Sequence, residues 1–221
     1  MRIAISYPPI INELGQKAMV SQNRNVQYFS VPTYLLPVTY AQAATWAKQE
    51  GHEVLWDDGN SQLKNYKNWL DDLVNFNPEF VLLESTTPVM KFYWETINDI
   101  KSLLPNTIIC LSGYHSMKKP EESFEMSSVD VVMLSSNVDF VLVKLLDFIA
   151  KNKNWKSDCK IQGLAIKENE KIRKTGNFIQ VEPLDKSPLI DRDLVKWENY
   201  AFENGNFLQT PGTYASSVIR D

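Results

Sequence analysis

Segment 107–122 contains the side chains whose types and spacing best suit ligand binding. Its sequence, TIICLSGYHSMKKPEE, opens with an apolar β-branched run that predicts a buried strand over residues 107–111. Small residues follow with one imidazole, His115, and then two carboxylates, Glu121 and Glu122, after a proline. In an α/β fold, a loop that follows a strand lies where ligands bind. We therefore predict a ligand crevice at this loop.

Apolar runs alternate with helical patterns along the first two thirds of the chain, which predicts βαβ units and a parallel sheet. The predicted strands cover residues 2–6, 53–57, 80–84, 107–111 and 130–134. The predicted helices cover residues 38–50, 63–76, 90–104 and 138–151. Right-handed crossovers favour the flavodoxin-like strand order 2-1-3-4-5. The fold class is therefore α/β, a Rossmann-like five-stranded parallel sheet with helices on both faces.

In this strand order the crevice is formed by the loops after the first, third, fourth and fifth strands. These loops cover residues 7–11, 85–89, 112–117 and 135–139. The candidate cofactor-binding residues are Tyr7, Pro8, Ser85, Thr86, Thr87, Ser112, Gly113, Tyr114, His115, Ser135, Ser136 and Asn137.

Two of these loops admit a structural role as well as a binding role. His115 either contacts a ligand or a metal-centred cofactor, or it hydrogen-bonds within the loop and holds the turn. The hydroxyls of residues 85–87 either donate to a ligand or cap the next helix. Both alternatives stay open from the residues alone.

Composition excludes several classes of protein. The chain has 221 residues, of which 23 are basic and 27 acidic, so its net charge of −4 gives no general attraction to nucleic acid. No apolar run approaches the roughly 18 residues that a membrane span needs. The N-terminus enters a strand directly, without the apolar region of a signal peptide. Cys110 and Cys159 give neither a disulfide framework nor a metal-ligand spacing, so we expect a cytoplasmic protein with no metal ligands of its own.

Two parts of the chain exceed a minimal doubly wound domain. Residues 10–37 form a long connection, and such connections are often lids or binding loops. After residue 151 the pattern changes to a hairpin over residues 162–175 and then to an irregular linking segment. We therefore predict a Rossmann-like domain over residues 1–151 and a hairpin with a linker over residues 152–221.

The usual uses of this fold lack their signatures here. The first strand is followed by no G-x-G-x-x-G, and the chain has no G-x-x-x-x-G-K-[ST]. The first strand ends in Ser6-Tyr7-Pro8, which supplies neither the acidic residues of a response regulator nor a flavodoxin phosphate loop. No nucleophile–base pair is evident, so we predict no catalytic residues.

The motifs, taken in order, resemble those of the B12-binding domains of cobalamin-dependent radical SAM enzymes. Residues 37–54, PVTYAQAATWAKQEGHEV, resemble the family's P-x-G-x-x-x-L-A-x-x-L-x-x-x-G-H-E-V. Residues 112–122 are similar to its GG-x-H-x-T-x-x-P-E-E, and residues 129–132 to its x-D-x-V strand. Further similarities are to the x-G-L-A and L-D-x-L-P that precede the radical domain (residues 162–165 and 184–188) and to the lead-in to the cysteine motif (residues 214–221).

This resemblance implies a cofactor and a partner domain. It implies that the crevice binds cobalamin and that the chain is the N-terminal domain of a methyltransferase or a related C–C bond- or ring-forming enzyme. S-adenosylmethionine and a [4Fe-4S] cluster would belong to a radical SAM domain in cis, because this chain has no C-x-x-x-C-x-x-C. The resemblance implies that the chain stops just before that motif. By itself the chain would not be catalytic.

Departures from the family pattern support an alternative. The family's G-E-G-E after the fifth strand is Ser135-Ser136-Asn137-Val138 here, and Thr39 and Ser112 replace glycines. The D-x-H-x-x-G signature is absent too, so no histidine from that motif would ligate the lower face of cobalt. The alternative is a degenerate B12-binding-like domain that lacks cobalamin and docks a substrate or a partner.

Overall fold

The computed structural model describes residues 1–20, 26–29, 34–169, 171–179 and 182–200. Its strands are β1 (Arg2–Tyr7), β2 (Lys17–Val20), β3 (Val26–Phe29), β4 (Glu53–Asp58), β5 (Phe80–Glu84), β6 (Ile108–Ser112), β7 (Val131–Met133), β8 (Leu164–Glu168) and β9 (Lys171–Lys174). Its α-helices are α1 (Val38–Gln49), α2 (Tyr66–Phe76), α3 (Met90–Leu103), α4 (Tyr114–Lys118), α5 (Pro120–Met126), α6 (Val138–Lys151) and α7 (Trp155–Asp158). Short 3₁₀ helices cover Thr87–Val89, Leu184–Lys186 and Trp197–Tyr200.

The main sheet is mixed and has seven strands in the order β4-β1-β5-β6-β7-β8-β9. Its first five strands are parallel neighbours, which confirms the flavodoxin-like order expected from the sequence. The prediction of a five-stranded sheet is wrong. The predicted hairpin forms as β8 and β9, and β8 pairs antiparallel with β7. An unpaired edge strand exposes backbone donors and acceptors, and the hairpin covers that edge of β7.

Helices cover both faces of the sheet, as predicted. Side chains alternate along a strand, so Ile3 and Ile5 face the layer that contains α1 and α6, while Ala4 faces the layer that contains α2 and α3. In α1 a buried stripe of Ala41, Ala44 and Ala47 allows this helix to lie close to the sheet. These two layers hold the strand ends in fixed positions.

The long connection over residues 10–37 contains a feature that the sequence analysis missed. Strands β2 and β3 pair antiparallel as a separate two-stranded sheet, with Ala18 opposite Tyr28. A lid role for this connection stays a prediction, and residues 21–25 and 30–33 lie outside the described part of the chain, as do residues 201–221 with their resemblance to a cysteine-motif lead-in.

The segment over residues 182–200, which we call the strap, is packed on the domain. Ser187 Oγ donates a hydrogen bond to Asp139 Oδ2 at 2.6 Å, at the start of α6. The backbone N–H of Asp191 donates to Thr45 Oγ1 in α1 at 2.9 Å. Tyr200, which is fully buried, ends the strap at the opposite edge of the sheet. A domain boundary at residue 151 stays a prediction, but the residues after it share the core of those before it.

In the described part of the chain, no helix combines the length and the apolar character that crossing a membrane requires.

Shortening the chain to residues 1–151 should lower its free energy of unfolding by several kcal/mol relative to residues 1–200. The shorter chain lacks Leu164, Ile166 and Val195, which are fully buried. Each such aliphatic side chain contributes roughly 1.5–3 kcal/mol when buried. Urea denaturation followed by circular dichroism measures the difference. Equal midpoints for the two chains would show that the hairpin and the strap add nothing to the core.

Candidate functional site

The crevice lies where the chain connections reverse direction. From β1 the chain passes through α1 to β4 on one side, and from β5 it passes through α3 to β6 on the other. Helices α1 and α3 belong to opposite layers. The topological switch point is therefore between β1 and β5, and ligands of open α/β sheets bind at the carboxyl ends of the strands at such a point.

Two buried carboxylates lie at the carboxyl edge of the sheet, one at the end of β5, which borders this point, and one at the end of β4, the outer neighbour of β1. Glu84 Oε2 at the end of β5 accepts a hydrogen bond from the Tyr7 hydroxyl at 2.8 Å. Asp58 Oδ2 at the end of β4 accepts one from the Tyr200 hydroxyl at 2.8 Å. Burial raises the pKa of Asp58, and it raises the pKa of Tyr7 and Tyr200 well above the ordinary value for a phenol. Both tyrosines therefore remain protonated donors at neutral pH.

Sequence reasoning missed both carboxylates. The signal for them was present, because Glu84 and Asp58 each close an apolar strand, in FVLLE and EVLWDD. An acidic residue at the carboxyl end of a buried strand in this fold lies at the crevice.

Aromatic rings fill the switch point. The Tyr40 hydroxyl in the first turn of α1 lies 2.9 Å from Ser112 Oγ at the end of β6. Since the Ser112 hydroxyl donates to the Leu83 carbonyl at 3.0 Å, Tyr40 is the donor to Ser112. The Tyr7 ring packs edge-on against Tyr40 at 6.1 Å between centroids and lies 5.9 Å from the Trp56 ring.

The structure places all twelve predicted site residues at the carboxyl edge of the sheet, but it divides them by exposure. Four are at least partly exposed and form what we call the rim: Thr87, Tyr114, His115 and Ser136. The other eight are buried and form what we call the floor: Tyr7, Pro8, Ser85, Thr86, Ser112, Gly113, Ser135 and Asn137.

The third and fourth loops are held together by a backbone contact. Gly113 has φ +108°, and a Cβ atom at this position would lie 1.9 Å from the Ser85 carbonyl oxygen. The Ser85 N–H also donates to the Ser112 carbonyl at 3.0 Å. Gly113 is therefore needed for its backbone conformation and for the close approach of the protein's own Ser85. A larger residue there would disrupt both loops whether or not a ligand binds.

His115 links three parts of the carboxyl edge. Its Nε2 lies 2.9 Å from Glu122 Oε2 in α5, and its Nδ1 lies 3.3 Å from Thr87 Oγ1 in the third loop. Its ring also packs edge-on against Trp94. These contacts support the interpretation that His115 holds the turn. Contact with a ligand stays a prediction. It would involve the 13% of the His115 side chain that is exposed.

The capping alternative for the third loop lacks support. Thr86 occupies the N-cap position of the 3₁₀ helix Thr87–Val89 but makes no side-chain capping hydrogen bond.

Glu121 and Glu122 lie in the first turn of α5, directly after Pro120. Acidic side chains are favourable there because the helix dipole is positive at its amino end.

The fifth loop contacts parts of the chain that lie outside the other three loops. Ser135 lies beside Gly163, where an added Cβ would be 3.4 Å from the serine Cβ. Asp139, at the end of this loop, accepts from Ser187 of the strap. The four predicted loops thus share the carboxyl edge of the sheet. The fifth loop also contacts Gly163, which precedes β8, and the strap.

Within the described ranges, no cluster of three or more histidine, cysteine or acidic side chains is arranged to hold a metal ion. Cys110 and Cys159 are both buried, and burial raises the pKa of both thiols.

No family model matches this chain, but comparison with individual proteins finds similarity at low identity. An uncharacterized methyltransferase of Pyrococcus horikoshii is 24% identical over 165 residues, which are 74% of this chain and 35% of that protein. The chain thus spans about a third of the length of this curated relative.

Solved structures share the fold at low identity. OxsB, a cobalamin-dependent S-adenosylmethionine radical enzyme solved with aqua-cobalamin and S-adenosylmethionine bound, superposes with a TM-score of 0.64 at 14% identity, over 90% of this chain and 24% of that one. TsrM of Kitasatospora setae, a radical S-adenosylmethionine methyltransferase solved with cobalamin and a [4Fe-4S] cluster bound, gives 0.58 at 15% identity, over 79% of this chain and 31% of that one. At these identities the likeness establishes the fold that the chain shares with part of each enzyme.

Proposed function

We propose that this chain is the cobalamin-binding domain of a radical SAM enzyme, a methyltransferase or a related C–C bond- or ring-forming enzyme. The observation that carries the proposal is the sheet order β4-β1-β5-β6-β7, in which the first turn of α1, from the family-like motif of residues 37–54, meets the start of the motif of residues 112–122 at the carboxyl edge. The structural likeness to OxsB and TsrM supports it.

The rim suits the corrin ring better than the floor does. The rim offers hydroxyl and imidazole groups and the Tyr114 ring, which is 46% exposed, while the floor is closed by the protein's own side chains. We therefore propose that Thr87, Tyr114, His115 and Ser136 contact the cofactor and that the floor residues support them from below. When bound, cobalamin supplies methyl-transfer chemistry.

The residues of the chain itself orient and shield the proposed site. Glu122 and Thr87 fix the His115 ring from both nitrogens, so its exposed edge keeps one orientation. The Tyr7–Glu84 and Tyr40–Ser112 hydrogen bonds hold these buried side chains in place beneath the rim. A polar group pressed against this surface would therefore meet a preorganised set of donors and acceptors.

The other cofactors of the proposed enzyme would bind outside this chain. S-adenosylmethionine and its [4Fe-4S] cluster would belong to a radical SAM domain in cis, because two buried cysteines do not supply three thiolate ligands. A cytoplasmic location, expected from the cysteine usage, belongs to the same proposal.

The filled crevice favours a second candidate function. Tyr7 and Tyr40 occupy the switch point, and the fifth loop is bonded to the strap through Asp139 and Ser187. Both features are expected of a degenerate domain that has lost cobalamin and docks a substrate or a partner protein.

Cobalamin retention separates the two candidates. After incubation with hydroxocobalamin and desalting, the full chain should retain about one equivalent, measured by its visible absorption. Bovine serum albumin treated in the same way controls for nonspecific retention. A visible spectrum without corrinoid absorption would instead support the degenerate domain that lacks cobalamin.

Replacing His115 by alanine should weaken cobalamin binding by roughly 1–3 kcal/mol if the imidazole contacts the cofactor. His52→Ala is the matched control, because His52 lies at the amino end of β4, with its Nδ1 3.4 Å from the amino group of Met1. Equilibrium titration of both variants measures the effect. An unchanged affinity in His115→Ala would leave His115 with its loop-holding role alone.

The purified chain should not cleave S-adenosylmethionine, even after iron–sulfur reconstitution. It has two cysteines and no C-x-x-x-C-x-x-C. Chromatography for 5′-deoxyadenosine formed in the presence of reductant tests this expectation, and product formed by this chain alone would overturn it.

A further inference from the structure

Tyr40 occupies the place in the crevice where an inserted group would lie. It belongs to the first turn of α1, on one layer of the sheet, and its hydroxyl reaches Ser112 at the end of β6. Because the ring also packs against Tyr7 of β1, it lies across the switch point between β1 and β5. Only 5% of Tyr40 is exposed, so solvent has almost no access to the crevice beneath it.

The side chain is held at both ends of its ring. Its hydroxyl donates to Ser112 Oγ, and the Ser112 hydroxyl is oriented by its own bond to the Leu83 carbonyl. The ring packs edge-on against Tyr7, whose hydroxyl is in turn bonded to Glu84. Moving Tyr40 out of the crevice therefore costs one buried hydrogen bond and an aromatic contact.

Among the described residues, the third and fourth loops are packed against each other without room for an inserted group. Ser85 and Ser112 are buried, and the backbone at Gly113 lies so close to the Ser85 carbonyl that even a methyl group does not fit between them. A planar base with its ribose and phosphate is far larger than a methyl group. Of the side chains that the structure describes at the switch point, Tyr40 is the one that such a group would displace.

We propose that Tyr40 determines which corrinoids this chain accepts, by closing the crevice to a nucleotide tail. The corrin ring then lies on the rim with its tail outside, and corrinoids that lack the tail bind at least as tightly as cobalamin. This inference rests on the proposed function and adds a ligand preference to it.

The test compares two probes on the full chain: hydroxocobalamin, which has the nucleotide tail, and diaquacobinamide, which lacks it. Visible absorption titrations give both dissociation constants for the wild type and for Tyr40→Ala. The wild type should bind cobinamide as tightly as cobalamin or more tightly. Tyr40→Ala should bind cobalamin about tenfold more tightly while its affinity for cobinamide changes less than threefold.

Two further variants keep the test decisive. Phe80→Ala removes an equally buried ring from the same layer, at the amino end of β5, and should leave the ratio of the two affinities unchanged. Tyr40→Phe keeps the ring but loses the bond to Ser112, so its ratio should shift in the same direction by about threefold. This variant preserves the test if Tyr40→Ala does not fold, as judged by circular dichroism.

Contrary outcomes are distinguishable from failure of the proposed function. Tenfold tighter binding of cobalamin than of cobinamide by the wild type would overturn the inference, because the tail would then contribute contacts. So would an unchanged ratio in both Tyr40 variants, or an equal shift in Phe80→Ala. Absence of binding of either corrinoid to every variant would instead overturn the proposed function, and this inference with it.

Discussion

The reversal of the chain connections between β1 and β5 is the constraint on which the candidate site depends. Because α1 and α3 leave these strands toward opposite faces, the two helices diverge from the strand ends between them. Loops from three strands therefore meet there with buried polar groups. Those groups must find partners inside the protein, and the hydrogen bonds of Tyr7 with Glu84 and of Tyr40 with Ser112 are the result.

The order of the first five parallel strands was predictable from the sequence, because each is a short apolar run between helical patterns. A glycine just beyond the C-cap of α1 was predictable as well, and Gly51, which follows the C-cap Glu50, has a positive φ of 85°. The extent of the sheet was not predictable, since a hairpin that joins an edge has the same local pattern as one that stands apart. Only tertiary pairing of Ala165 with Val132 distinguishes the two.

Sequence reasoning anticipated that the candidate residues share the carboxyl edge of the sheet but not which of them are exposed. Small hydroxyl residues such as Ser85 and Ser112 suggest room for a ligand, yet both are buried under larger neighbours. Exposure depends on side chains from distant segments, here Tyr40 of α1 and Tyr7 of β1. Their direction is set by packing, which a single sequence does not display. The buried carboxylate of Glu84 was missed because it belongs to a predicted strand and the candidate residues were sought in loops. Asp58 was missed because the loop after the second predicted strand was not counted among the crevice loops.

The strap fixes the course of the chain beyond the hairpin. Ser187 and Asp191 attach it to α6 and α1, and Tyr200 brings the chain back to the carboxyl end of β4. A segment bound at several points along its length transmits position better than a flexible linker does. Under the proposed function, the strap would hold a radical SAM domain near the rim.

Hydrogen–deuterium exchange of the full chain with and without hydroxocobalamin tests the central claim most directly, because it locates binding without any substitution. The account predicts slower exchange in residues 85–89 and 112–117, which carry most of the rim, and unchanged exchange in β8 and β9. Protection confined to the hairpin or to the amino ends of the strands, or no protection at saturating cofactor, would contradict the account.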